Sequence, residues 1–140
     1  MIEQRCAIYE RRFGLAAYHD PSSGHILAAT DRHTAGVLAP RSLAAAAFPL
    51  RDSGSVPAFS VSGNRWMFLT DGVPDAQTVQ QMLITAFRYP IVPILAPTPV
   101  ALPTLGSALR SWLYGPRSPA RSPITIVVAA LQTAAHRFDS

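Results

Sequence analysis

The chain contains no lysine. All 12 of its basic side chains are arginine. The many Ala and Pro residues make this a mark of codon usage rather than of recognition, but it has a chemical consequence. There is no GxxxxGK[ST] and no GxGxxG, so nucleotide hydrolysis through a phosphate-binding loop is excluded. Acids are scarce too, eight in 140 residues, and none falls between Asp75 and Asp139. Cys6 stands alone, which rules out an internal disulfide and a zinc finger and reads as a cytoplasmic chain. A lone cysteine without an activating base is by default a buried structural thiol. No apolar run reaches 18 residues, and the most apolar stretch, "YPIVPILAPTPVALPTLG", is broken by Pro90, Pro93, Pro97, Pro99 and Pro103, so no membrane span is expected. "MIEQRCAIYERRFG" mixes charges without an apolar core and is no signal peptide. Charged residues make up 14% of the chain against about 25% in ordinary soluble domains. Such a surface either stays soluble through Ser, Thr, Gln and short loops or hides part of itself in a protein partner or a second copy.

A length of 140 residues suits one domain that needs neither disulfide nor metal to hold its core. Asp20-Pro21-Ser22-Ser23-Gly24 marks a turn, with a hairpin from about Leu15 to Ala29 around it. "TAGVLAP" predicts a short strand at Gly36 to Leu38, and Ser42 is a candidate cap for a helix over "LAAAAF" that Pro49 ends. "VPAFSV" and "RWMFLT" read as strands joined by "SGN". In the second, Trp66, Phe68 and Thr70 share one face, and Met67 and Leu69 the other. Both faces are largely apolar, which predicts a central strand covered on both sides. Asp75 then caps a helix from Ala76 to Phe87. "IVPIL" and "PVALPT" predict a proline-limited, edge-like strand pair around "APTP". Residues 104–123 read as a loop-rich insertion with a short helix or strand around Trp112. The last segment opens at Pro123 and is a packed helix with a stripe of Ile126, Val127, Ala130, Leu131 and Ala134, strand being the alternative for residues 124–128. The sum is α+β or α/β: a single domain with a mixed or antiparallel sheet of about five strands, flanked by two or three helices.

Candidate chemistry is sparse. His19, Asp20, His25, Asp31 and His33 crowd the N-terminal third and could converge on a divalent ion, although such residues near turns ordinarily face solvent. Asp71 and Asp75 flank "GVP". Asp71 more simply starts a turn with Gly72, and Asp75 more simply caps the helix. No GxSxG is present. The stretch between Asp75 and Asp139 holds no acid and carries a positive field. Together with Arg65 before it, Arg88, Arg110, Trp112, Tyr114, Arg117 and Arg121 form a basic and aromatic set, suited to phosphates and bases or to the anchor positions of a protein interface. Trp112, beside a proline-rich loop, is the better exposed of the tryptophans.

"GNRWMFLTDGVPDAQTV", "VALPTLG" and "RSWLYGPRSPARSP" resemble segments of small actinobacterial proteins related to the bifunctional primase/polymerase N-terminal domain, over residues 36–135. The resemblance implies a mixed sheet flanked by helices. Full members use a pair of acids on adjacent strands and a His to place metal and nucleotide. No acidic pair within a strand matches that pattern here, so no catalytic residue is carried over. The expectation is therefore a cytoplasmic, non-catalytic binding or regulatory protein acting through protein contacts, with no cofactor and no metal. The alternative is a nucleic-acid-binding protein or a divergent metal-dependent nucleotidyl-transfer enzyme using Asp20, Asp31 or His33.

Overall fold

The computed structural model describes residues 2–48, 56–72, 75–86, 88–103, 110–114 and 121–139. Its centre is the strand "RWMFLT". Strand side chains alternate between faces, so a strand buried at five consecutive positions needs cover on both sides. Trp66 through Thr70 are all buried. Trp66 and Phe68 enter one apolar cluster, Met67 and Leu69 the other.

This strand is β5 (Arg65–Thr70) of a chain that runs α1 (Ile2–Phe13), β1 (Ala17–His19), β2 (Ile26–Ala28), β3 (Ala35–Pro40), α2 (Arg41–Ala47), β4 (Ala58–Val61), β5, α3 (Ala76–Ala86), β6 (Val92–Ile94), β7 (Val100–Leu102), β8 (Arg110–Tyr114) and α4 (Ile124–Asp139). Five strands form one sheet in the order β6-β3-β5-β4-β8, every pair antiparallel. Three form a second, β1-β2-β7. The result is an α+β fold in three layers. Helices α2, α3 and α4 cover the Trp66 and Phe68 face through Leu43, Met82, Ile124, Val127, Val128 and Leu131. The small sheet and α1 cover the Met67 and Leu69 face through Tyr9, Leu15, Ile26, Val100 and Leu102. Gly36 lets the layers close. A Cβ there would stand 3.0 Å from Val100 Cγ2 and 3.1 Å from Met67 Sδ.

Several expectations hold. The hairpin is β1 and β2, with Ala17 opposite Ala28. The "SGN" link is a turn in which Ser62 and Gly63 take positive φ, 56° and 80°. Asp75 caps α3, its Oδ1 accepting the Thr78 N–H at 2.7 Å. Phe87 and Pro49 lie outside the described residues.

Others are corrected. Helix α1 and the three-stranded sheet were not anticipated; among the described residues α1 joins the three helices that flank the main sheet. The strand read at Gly36 to Leu38 extends from Ala35 to Pro40. Ser42 caps nothing: α2 starts at Arg41 behind Pro40, without a side-chain cap. Strands β6 and β7 do not pair with each other. β6 joins β3 and β7 joins β2, in different sheets. Each has three residues and stands next to prolines, which confine strands to edges. Pairing two such edges gives neither a central partner, whereas each existing sheet offers one. Residues 110–114 form a strand, with residues 104–109 and 115–120 outside the described residues. Residues 124–128 bear out the packed-helix reading over its strand alternative. The buried stripe of α4 is Ile124, Val127, Val128, Leu131, Ala134 and Ala135, and Ile126 is 60% exposed.

Hydrogen bonds from the Thr78 backbone and side chain hold the Asp75 carboxyl below its ordinary pKa. A carboxyl whose folded pKa is depressed stabilises the fold above the unfolded value of about 3.9, and that contribution is lost as pH falls through the folded pKa. Asp75→Asn keeps a cap but does not titrate. Thermal melts across acidic pH are expected to fall less steeply for Asp75→Asn than for the wild-type chain.

Candidate functional site

Two ends of the five-stranded sheet carry its charged groups, and they are built differently. At the end where β5 finishes, the Asp71 N–H donates to the Ser122 carbonyl at 2.8 Å, and Asp71 bridges to Pro123 in parallel sense. The loop before β3 presses on the same point. A Cβ on Gly72 would lie 2.4 Å from the carbonyl carbon and oxygen of Arg32 and from the Asp31 carbonyl oxygen, so only glycine fits. Arg121 fastens this corner. Its Nη1 donates to the Phe13 carbonyl at 2.8 Å, and its Nη2 to the His33 carbonyl at 2.7 Å and to Thr34 Oγ1 at 2.9 Å. Phe13 ends α1, where carbonyls lack intrahelical partners and a cation is favoured. Burial lowers the Arg121 pKa, while the Asp71 and Asp31 charges oppose that. Arg121, expected to meet phosphate or a partner, spends its fork on three internal acceptors.

The acids here serve their own turns. Asp31 Oδ1 accepts the His33 N–H at 2.7 Å, and Asp71 Oδ1 accepts the Gly72 N–H at 3.0 Å. Asp20 closes the exposed hairpin tip, taking the Ser22 N–H and hydroxyl and the Ser23 hydroxyl, and these bonds lower its pKa. Among the described residues no group of three or more His, Cys, Asp or Glu side chains comes together as metal ligands would. The five-residue set of His19, Asp20, His25, Asp31 and His33 therefore does not assemble.

Trp112 is, as expected, the more exposed of the two tryptophans, but it is not free for a partner. It is half-buried on β8, packed edge-on against Phe59 at 5.3 Å between ring centres. Its indole N–H donates to the Tyr9 hydroxyl at 3.1 Å, and that hydroxyl donates to the Pro103 carbonyl at 3.0 Å. One polar chain thus ties β8, α1 and the exit of β7 together. Buried polar groups must be paired, and here each member satisfies the next. Sequence reading missed Tyr9, although Cys6, Tyr9 and Phe13 already recur at helical spacing. Burial, then the charges of Glu10 and Glu3, raise the Cys6 thiol pKa, the opposite of what a nucleophile needs.

The remaining candidates scatter. Arg65 and Arg88 are exposed, and Arg110 is half-buried. Tyr114 contributes its backbone to the pairing with Ala58, and Arg117 lies outside the described residues. Arg65 and Arg110 meet at the other end of the sheet, where both stand opposite Val61. On the helical layer a shallow groove of about 190 Å³ runs between α3 and α4, floored by Met82, Val128 and Ala129 and edged by Gln81, Thr125 and Gln132. No charged side chain lines it. Among the described residues no helix is long and apolar enough to cross a membrane. No family model, curated protein or solved structure matches the chain.

Gly72→Ala forces a methyl group into immovable backbone. It is expected to cost about 1–3 kcal/mol, read as a lower midpoint in urea unfolding. Tyr9→Phe leaves the Pro103 carbonyl and the Trp112 N–H without their partner, an expected loss of about 1–3 kcal/mol. Combined with Trp112→Phe, it should show non-additive loss in a double-mutant cycle.

Proposed function

We propose that the chain is a non-catalytic binding protein that acts through a protein contact on its helical layer. The observation that carries this is the α3/α4 groove together with the apolar surface that the same two helices leave exposed. Its floor is apolar, its rim is uncharged and polar, and the same two helices leave Ile84 65% and Ile126 60% exposed. The cores of protein interfaces are depleted of charge and rimmed by polar groups in this way. Isoleucines at such exposure contribute little to this fold's own core, and their burial by a partner removes apolar surface from water. The low charged fraction of the whole chain supports the same reading.

The resemblance to primase/polymerase domains enters as ancestry. What supports a non-catalytic descendant is the use of the acids nearest the ends of β3 and β5. Asp31 and Asp71 each accept a backbone N–H of their own turn, and the positive charge beside them is the internally bonded Arg121.

An Ile84→Asp, Ile126→Asp double variant separates binding from folding, because both positions are exposed. Affinity capture in the presence of nuclease is the measurement. A stoichiometric protein held by the wild-type chain and lost from the variant is expected. Equal capture by both chains, or capture that disappears with nuclease, overturns the proposal.

A further inference from the structure

Three arginines far apart in sequence stand at one end of the five-stranded sheet. Arg65 opens β5, Arg110 opens β8, and Arg41 follows the last residue of β3. The register fixes the arrangement. Pro40 pairs with Arg65, and Val61 pairs with Arg65 on one side and Arg110 on the other. Adjacent strands lie about 4.8 Å apart, so the Cα atoms of Arg65 and Arg110 are roughly 10 Å from each other. Residues paired across strands share a face, so both side chains project on the side that Val61 uses. Two extended arginines at that separation can bring their forks onto one ligand.

Nothing among the described residues neutralises them. Asp31 and Asp71 belong to the opposite end, with Arg121. Burial lowers the Arg110 pKa, and the neighbouring charge that adds to this is Arg65, a cation. Arg110 Nε is buried without a hydrogen-bond partner. A like-charged pair with no counter-ion among the described residues is costly to keep in a folded protein, and an anion arriving at the outer guanidinium nitrogens relieves the repulsion. The backbone between them is open: a Cβ on Gly63, in the turn joining β4 and β5, would meet nothing within 4 Å.

We infer that Arg65 and Arg110 form a binding site for a phosphate oxyanion. The planar guanidinium fork matches phosphate oxygens in pairs. Among the described residues, neither tryptophan beside the pair is free to stack on a base. Trp112, two residues along β8 from Arg110, is turned into the core by Tyr9 and Phe59, and Trp66, next to Arg65, is buried. The site therefore reads charge and not base identity. Its phosphate comes either from a nucleic-acid backbone or from a small polyphosphate. The site faces the α1 side of the sheet, away from the α3/α4 groove, so it does not depend on the protein-contact proposal.

The test uses two probes at low salt: a fluorescein-labelled oligothymidylate followed by anisotropy, and sodium tripolyphosphate followed by titration calorimetry. The proteins are the wild-type chain, Arg65→Gln, Arg65→Gln with Arg110→Gln, and Arg88→Gln as an exposed control elsewhere, each checked for folding by circular dichroism. At least one probe is expected to bind the wild-type chain. Arg65→Gln should weaken that binding about tenfold, the scale of one charge-assisted pair, and the double variant should weaken it further, while Arg88→Gln binds as the wild type does. For the oligonucleotide, each lost contact should flatten the salt slope by about 0.7. Oligonucleotide binding that tripolyphosphate does not displace supports a nucleic-acid backbone as the source. Tripolyphosphate binding on its own account supports a small polyphosphate. Absence of binding to both probes, or an Arg65→Gln chain that binds as tightly as the wild type, overturns the inference. Because Arg65 is exposed, that single variant stays informative even if the double variant fails to fold.

Discussion

A strand in the middle of a five-stranded sheet must be dry on both faces, and β5 imposes this on everything around it. Trp66 and Phe68 push one way, Met67 and Leu69 the other, and each pair needs a layer to cover it. A single helical layer cannot supply both. The C-terminal helix, with α2 and α3, fills one side. The other falls to a three-stranded sheet and α1, assembled from residues 2–28 and 100–102. A buried Leu or Phe side chain contributes about 1.5–3 kcal/mol through removal from water, so neither layer is dispensable. Thr70, fully buried at the end of the strand, fits because its hydroxyl donates to the Asp71 carbonyl at 2.9 Å.

Packing three layers leaves polar groups stranded at the seams, and the chain resolves them with long-range bonds. The chain of donors from Trp112 through Tyr9 to Pro103 spans |i−j| of 103 and 94. The Arg121 fork reaches back 108 residues to Phe13. Both fix α1 against the rest. Side chains that look suited to recognition, an indole and a guanidinium, are here consumed by architecture. The same residue type at the opposite sheet end, Arg65 and Arg110, has no such acceptors among the described residues. Position in the fold, and not residue identity, separates a fastening arginine from one open to a ligand.

The functional reading follows from what each surface leaves unsatisfied. The turn acids close onto their own backbone. The helical layer leaves isoleucines and an uncharged groove, which suit a protein partner. The arginine end leaves charge, which suits phosphate. Surfaces of these two kinds are what the proposed binding role draws on.

Much of this was legible in the residues themselves. Period-two burial in "RWMFLT", the Asp75 cap, the hairpin around Asp20 and the "SGN" turn are local, decided by side-chain alternation and by hydrogen bonds within three residues. An α+β chain with about five strands in its main sheet could be read from them. Partners distant in sequence could not. Whether β6 and β7 pair with each other, which face of α4 is buried, and why Gly72 must be glycine depend on what lies across the gap, and local pattern carries no information about that. The candidate site divides in the same way. Arg65, Arg110, Trp112 and Arg121 stood out as residue types, but only tertiary structure set Arg65 and Arg110 on either side of Val61, turned Trp112 inward and closed Arg121 on three carbonyl and hydroxyl oxygens. Composition determined how many cations the chain has, and strand register decided which of them stand without a partner.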